Sequence, residues 1–474
     1  MDNKKGIVPF LIEHSKGDPV SFHMPGHKGA AIYRENGYGD FLACMMDWDI
    51  TEIPGADNLF QTEGIIEETM AKYRRLYHAK ESYLLINGSS AGLIAAIMTT
   101  VPSGGKLIMA RNCHKSIFNG LMLAGGRPVY AYPELIEEYG ISGQITASEI
   151  RRCLQEHPDS SAVILPSPNY YGVCSDIAAI AKEVHDAGKI LIVDQAHGAH
   201  LNFFDTYIKG KTLAAENLGA DIVIGSTHKT LASFTQSGVV NLCTDRIDKY
   251  TFADKLQLIE STSPSYVLMA SLDLNADLLQ KNGDKLIGDW EENLAYFYEQ
   301  AADIPGLRVM QHPMLDHTKI NLDMHAYGLD GLRLEELLME KGVYAELVTG
   351  NILMCMTGIG NKRSDFDRLL NALREVAASH VLQKTQSASL ADLTVRKLEQ
   401  QPLPTMKERI PIEEAAGRVC ASAIIPYPPG IPIVCPGEVI DREILEYVMA
   451  LRKKGEKVIG IDDCGRIVVG KEKF

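Results

Sequence analysis

Long apolar runs are missing from this chain. No stretch approaches the ~20 consecutive apolar residues of a membrane-spanning helix, so no membrane protein is expected. Paired cysteines are missing too: the nine cysteines are scattered, odd in number and never in a Cys-x-x-Cys pair, which argues against a disulfide framework or a zinc cluster. Reduced, mostly buried thiols are expected instead. Positive charge is in short supply, with 47 Lys and Arg against 61 Asp and Glu and a formal net charge of -14. Nucleic acid is therefore a poor candidate partner, because its affinity comes largely from phosphates neutralised by Lys and Arg. A cationic small molecule is mildly favoured. The apolar residues from Ile7 to Ile12 are interrupted by Pro9 and too few for a signal-peptide core, which points to the cytoplasm. Internal repeats and low-complexity tracts are also absent.

What is present is the composition of a globular protein, 46% hydrophobic and 23% charged over 474 residues, a length that suggests about three domains. Between residues 82 and 245, short apolar strands alternate with helix-length segments; the strands read as 83–86, 106–109, 128–130, 162–165, 190–193, 222–224 and 238–242. This pattern predicts an α/β fold with a seven-stranded, mostly parallel sheet covered by helices on both faces. Ligands in such sheets gather at the carboxyl ends of the strands, where Gly88-Ser89-Ser90, Asn112-Cys113-His114, Pro168-Asn169-Tyr170, Asp194 and His228-Lys229 all fall. A helical stretch over 266–302 leads to a smaller α+β unit, with strands at 318–322 and 352–356 and helices at 332–341 and 365–378. Residues 380–401 read as a polar connector. The run Pro426-Tyr427-Pro428-Pro429-Gly430-Ile431-Pro432 is expected to be extended, because each proline fixes its own φ and disfavours helix in the residue before it. The divisions that follow are an N-terminal arm (1–30), a large cofactor-binding domain (31–285), a small α+β domain (286–385) and a C-terminal domain (386–474).

Lys229, just past one strand, and Asp194, at the end of another, suit pyridoxal phosphate. That cofactor needs an amine for its aldehyde and a carboxylate to keep its ring nitrogen protonated. The turn Asn87-Gly88-Ser89-Ser90-Ala91-Gly92 offers hydroxyls and free amides at a helix start, a site for a phosphate, and Ser226 and Thr227 add donors on the same rim. Ser90 serves equally as a simple N-cap. His114 is placed to stack on a pyridine ring. Asp194-Gln195-Ala196-His197-Gly198-Ala199-His200 has the spacing of a helical metal site, but it leaves a strand through Gly198, so no metal is expected. Asp194 suits the ring nitrogen, Ala196 is small enough to lie beneath the ring, and His197 reaches the ring's phenolic oxygen or the substrate. Phe22-His23-Met24-Pro25-Gly26-His27-Lys28-Gly29 reads on composition as a loop with two surface histidines.

The runs His-Met-Pro-Gly-His-Lys, Arg-Asn-Cys-His-Lys-Ser, Asp-Gln-Ala-His-Gly-Ala-His, Ser-Thr-His-Lys-Thr and Tyr-Pro-Pro-Gly-Ile-Pro with Pro436-Gly437-Glu438, in this order from about residue 8 onward, resemble the Orn/Lys/Arg decarboxylase family of fold-type I pyridoxal phosphate enzymes. The short length, without an N-terminal wing domain, resembles the compact bacterial arginine decarboxylases. The resemblance implies decarboxylation of a basic amino acid, arginine first, then lysine or ornithine, in the service of polyamine synthesis. It implies that Lys229 carries pyridoxal 5'-phosphate, Asp194 pairs with the ring nitrogen, and His114 stacks on the ring. Ser89, Ser90, Ala91, Ser226 and His228 would surround the phosphate, Ala196 and His197 would lie at the other face and edge, and Lys229, His228 or His197 would return a proton to Cα. It also implies a homodimer or larger homo-oligomer with active sites between subunits. Two departures from the family pattern stand out: Gln195 stands where many relatives have Glu, and near Asp57-Asn58-Leu59-Phe60, a stretch resembling the active-site mouth and so bearing on the substrate, a His and a Pro usual in relatives are missing. For the cationic end of the substrate, Glu346 and Glu438 are the leading acids, with Glu52 and Asp47 behind them. An aminotransferase- or aldolase-like reaction on the same core, or a non-catalytic homologue, are the alternatives.

Overall fold

The computed structural model describes residues 6–208, 210–383, 396–427, 431–453 and 457–471. The expectations for the first five residues, for most of the 380–401 connector and for Pro428-Pro429-Gly430 lie outside these. All seven expected strands form one sheet: β1 (Glu81–Leu85), β2 (Lys106–Ala110), β3 (Arg127–Ala131), β4 (Ser160–Pro166), β5 (Ile190–Asp194), β6 (Ile222–Gly225) and β7 (Gly238–Leu242). Their spatial order is β1-β7-β6-β5-β4-β2-β3. The pairs β6–β5, β5–β4, β4–β2 and β2–β3 are parallel, while β7 runs antiparallel to both β1 and β6. Side chains of β1 and β7 alternate between two apolar cores, Leu84 and Val239 on one face, Leu85 and Val240 on the other, as the two-residue period of a strand requires.

The helix after β1, α1 (Gly88–Thr100), lies close against the sheet. A Cβ at Gly92 would fall 2.5 Å from Val240 Cγ2 and 2.9 Å from Leu85 Cδ1, so only glycine lets α1 approach that closely and aim its first turn at the rim. The next helix, α2 (Lys115–Ala124), follows β2 and starts at His114.

The long helix α3 (Tyr266–Ala302) is a single 37-residue element. It packs on the helices Ile65–Tyr77 and Leu201–Tyr207 of the large unit and on α4 (Arg363–Ser379) of the small one. The division expected at 285–286 therefore falls inside a helix that serves both units, and one apolar core runs through both. The small unit is an antiparallel sheet of β8 (Arg308–Val309), β9 (Lys319–Asp323), β10 (Leu347–Thr349) and β11 (Ile352–Met356), in the order β8-β9-β11-β10. The N-terminal arm joins it, since Val20–Phe22 pairs in parallel with Val343–Ala345. The C-terminal unit has its own core around the helix Arg442–Lys453 and two antiparallel strand pairs, Lys407–Pro411 with Arg466–Gly470 and Ile425–Tyr427 with Lys457–Ile459.

Candidate active site

The carboxyl ends of β1, β2, β4, β5 and β6 open on one cavity of about 370 Å³, within the range of small-molecule sites. Ser89, Ser90, His114, Asp194, Ala196, His197, His228, Lys229 and Glu346 all line it. Lys229 and Asp194 thus face the same space although they lie 35 positions apart in sequence.

Burial sets the charge states. The Lys229 amine is pushed below its ordinary 10.5 by burial, against the pull of Asp194 and Glu346. Burial raises the Asp194 carboxyl, and the nearby Lys229 and an amide bond from Ala196 (3.1 Å to Oδ1) oppose it. A buried carboxylate in this state gains from a cationic partner such as a protonated ring nitrogen. His197 is held neutral by burial, and both of its ring nitrogens are buried without a hydrogen-bond partner among the described residues. Buried polar atoms are normally satisfied, so this pair of orphans marks where a polar ligand belongs.

His114 is pushed down to about 3 by burial, with its neighbours Lys229 and Lys115 adding to the effect. Its Nδ1 accepts from the Ser116 amide at 3.3 Å and meets Ser116 Oγ at 2.8 Å, so it is a neutral ring fixed at the start of α2. His228 is lowered to about 4 by burial, and its Nδ1 donates to the Ser237 carbonyl at 2.6 Å.

Ser226 Oγ donates to Ser89 Oγ at 2.8 Å, which brings the two hydroxyl-bearing turns together. Asn87, the N-cap of α1, makes no side-chain cap bond, so the first-turn amides have no cap acceptor from it. Hydroxyls and helix-start amides at one spot fit a phosphate, and an amine and a carboxylate facing the same cavity fit an aldehyde and a ring nitrogen. These residues fit pyridoxal phosphate. Ala91, expected among the cofactor contacts, is buried in the first turn of α1 and is not among the residues lining the cavity.

Of the acids considered for the substrate's cationic end, only Glu346 lines the cavity. Its Oε2 accepts from the Met24 amide at 2.9 Å, and burial raises its carboxyl, while Lys229 and Lys28 draw it back down. The expectation for Glu438 is corrected. It is buried beside Arg111, whose Nε and Nη2 donate to its two oxygens at 3.0 and 2.8 Å, and it takes a third bond from the Cys435 amide at 2.7 Å. With its lone pairs so committed, it ties the Arg111–Ser116 motif to the C-terminal unit. Glu52 accepts from Asn58 Nδ2 at 2.8 Å, and Asp47 is exposed; neither lines the cavity.

Gln195, one of the two departures, points away from the site. It accepts from the Ala215 amide and donates to Glu216 Oε2, both at 2.7 Å, a double role that a carboxylate facing Glu216 would not fill. His200 faces the other way from His197, with Nε2 at 3.1 Å from Asp316 Oδ1, so the Asp-x-x-His-x-x-His spacing does not gather ligands.

Sequence reasoning missed the role of the His-Met-Pro-Gly-His-Lys run, which is no surface loop. Met24 lines the cavity, Gly26 donates to the His228 carbonyl at 2.8 Å, and Lys28, lowered to about 7 by burial, donates to the Met356 carbonyl at 3.1 Å. The signal available was Gly26 itself: a Cβ there would fall 2.4 Å from the Thr230 carbonyl carbon. Tyr170, its ring 4.6 Å from that of His197, also belongs to the cavity wall.

Residues 7–321 match the family described as Orn/Lys/Arg decarboxylase, major domain, and residues 380–463 match its C-terminal domain. Among characterised proteins, the arginine decarboxylase of Bacillus subtilis (strain 168) is 31% identical, covering 96% of this chain and 94% of its own. The lysine decarboxylase LdcA of Pseudomonas aeruginosa is 24% identical, covering 96% of this chain and 77% of its own. Among solved structures, the lysine decarboxylase LdcF of Francisella novicida superposes with a TM-score of 0.78 at 20% identity, over 97% of this chain and 80% of its own.

Proposed function

Since the chain belongs to the Orn/Lys/Arg decarboxylase family, a group of basic amino acid decarboxylases that use pyridoxal phosphate, we propose that its substrate is L-arginine and its products are agmatine and carbon dioxide, for polyamine synthesis. Arginine is favoured over lysine and ornithine because the arginine decarboxylase above shares more of its sequence with this chain than the lysine decarboxylase does. The observation that carries the reading is the single cavity in which an amine, a buried carboxylate and a second acid meet: Lys229, Asp194 and Glu346.

When bound, pyridoxal phosphate supplies an aldehyde carbon that takes up an amine and a ring that accepts the electron pair left at Cα when carbon dioxide departs. Lys229 is its attachment point, made more nucleophilic by the burial that disfavours its ammonium form. Asp194 holds the proton on the ring nitrogen. Ser89 and Ser90 would hold the phosphate with the amides of α1, with Ser226, buried behind them and donating to Ser89, in support; His228 would close that end, His114 would cover one ring face, and Ala196 and His197 the other face and the edge.

Glu346 receives the substrate's cationic end, whose charge offsets the burial that otherwise favours its neutral form. His197 and His228 are both kept neutral by burial and hold no imidazolium proton to give up at neutral pH. Lys229 is the only amine among the described residues lining the cavity; the proton shed by the incoming substrate amine would give it the acid form that returns a proton to Cα. No arginine stands among those lining residues to grip an α-carboxylate, which favours release of that group over amino transfer.

The working form is a cytoplasmic homodimer or larger homo-oligomer, with sites at the subunit interface. Its support is exposed apolar surface: Ile7, Val8, Phe10, Leu11 and Ile12 on the first helix, and Met46, Trp48, Ile50 and Ile53 nearby in sequence. Among the described residues no helix is long and apolar enough to cross a membrane. The test is incubation of the holoprotein with arginine, lysine and ornithine and identification of products by mass. Agmatine from arginine at the highest rate is expected; a keto acid, or no product from any of the three, overturns the reading.

A further inference from the structure

Behind the cavity wall lies a buried polar cluster that the reaction above does not use. Lys319 at the start of β9 is fully buried, and its ammonium donates to Asp316 Oδ2 at 2.8 Å, Thr318 Oγ1 at 3.1 Å and the His197 main-chain carbonyl at 2.7 Å. Two of these bonds stay within its own loop, and the third crosses to the turn that carries Ala196 and His197. Asp316 Oδ1 is in turn 3.1 Å from His200 Nε2, and His200 Nδ1 is 3.2 Å from Thr230 Oγ1, on the residue that follows Lys229. The loop after β4 is tied to the same place: the Asp316 amide donates to the Gly172 carbonyl at 2.8 Å and Asn321 Nδ2 to the Tyr171 carbonyl at 2.8 Å. A Cβ at Gly172 would fall 2.8 Å from Lys319 Cβ. Three cavity-forming loops, after β4, β5 and β6, thus hang on one short loop of the small unit.

Packing alone does not call for an ammonium here, because replacing a buried ion pair with apolar groups of similar volume is often neutral or stabilising. The charge is rationalised by what its third bond holds. Asp316 is kept ionised against its burial by His200 and Lys319, so its pairing with Lys319 is a charge-assisted, directional one. We propose that Lys319 and Asp316, through His197 and through His200 and Thr230, are positioning residues that set the Asp194–His197 turn against Lys229 and so fix where and how tightly the cofactor sits.

This rests on the assignment of Lys229 as the attachment point. The test compares wild type with Lys319→Met/Asp316→Asn, which removes both charges together and keeps an acceptor for His200, and with Thr230→Val, which leaves the ion pair intact and cuts the link beside Lys229. Two readouts are taken on folded protein, as judged by far-UV circular dichroism: the dissociation constant of pyridoxal phosphate, by equilibrium dialysis, and the visible circular dichroism of the bound cofactor. The double variant is expected to weaken cofactor binding about tenfold, the loss of one hydrogen bond to a charged group, and to alter the visible band; Thr230→Val is expected to change both in the same direction by less. Folded variants with unchanged affinity and an unchanged band overturn the proposal. If the double variant does not fold, Thr230→Val decides alone by the same criterion. A wild-type protein that shows no lysine-linked visible band refutes the Lys229 assignment itself, and the proposal with it.

Discussion

Removing Glu438 separates a structural acid from a substrate-binding one. Arg111 and Glu438 are 0% and 1% exposed, and the guanidinium makes two charge-assisted bonds to the carboxylate plus bonds to the Pro432 and Ile433 carbonyls at 2.6 and 3.1 Å. Glu438→Ala cuts those two bonds and leaves a buried guanidinium without its counter-charge. At about 1.5–3 kcal/mol for each hydrogen bond to a charged group, the loss is about 3–6 kcal/mol, which brackets the ~3–5 kcal/mol typical of a broken buried pair. Arg111→Met/Glu438→Leu, which removes both charges, is expected to cost far less than the sum of the single changes. Urea unfolding followed by far-UV circular dichroism measures the cycle, and steady-state kinetics on whatever remains folded gives KM. A loss under about 1 kcal/mol, the scale of an exposed pair, together with a raised KM, would refute the buried-pair reasoning and return Glu438 to the substrate.

Asp194→Asn is expected to keep the fold and much of the cofactor binding while slowing decarboxylation about a hundredfold or more, as befits loss of a fixed electrostatic group; turnover at the wild-type rate contradicts its role. Gly26→Ala would press a Cβ to 2.4 Å from the Thr230 carbonyl carbon and 2.5 Å from the Leu231 oxygen, so the segment bearing Lys229 must shift. A cost of about 1–3 kcal/mol in urea unfolding and weakened cofactor binding are expected, and wild-type values of both would show that the segments are not packed this tightly. Glu260, which accepts from the Ile86 and Asn87 amides at 3.3 and 3.0 Å, is pushed up to about 7 by burial from an ordinary 4.5. The folded state therefore binds more protons than the unfolded one between these values, and stability falls as pH rises from 4.5 to about 7. Glu260→Gln should flatten that part of the pH–stability curve; an unchanged slope excludes Glu260 as its source.

The sheet was legible because each strand is a short apolar run bounded by turn residues, and the rim was legible because polar residues follow five of those runs. Direction was not: Gly238–Leu242 is a short, mostly apolar run buried along its length, and nothing in such a run tells that it lies antiparallel between β1 and β6. Within the site, four cavity-lining residues were named from the sequence, Lys229, Asp194 and His114 from their types and places and Glu346 as one of four acids. The residues that hold them were not, because their partners are remote in sequence. His200 and Asp316 are 116 positions apart, and Arg111 and Glu438 are 327 apart. A lysine at the head of a strand reads as solvated, and only the assembled small unit shows that Lys319 is buried. Glu438 misled for the complementary reason: an acid beside a recognisable motif looks available until the arginine that occupies it is seen.

The most direct test of the site is to load the protein with pyridoxal phosphate, reduce it with borohydride and locate the modified lysine by peptide mass mapping. Lys28, with an amine lowered to about 7 by burial, and Lys319 are the nearby competitors that make the result informative. Modification confined to Lys229 is expected; modification of Lys28 or Lys319 in its place would contradict the assignment on which the catalytic roles of Asp194, His114 and Glu346 depend.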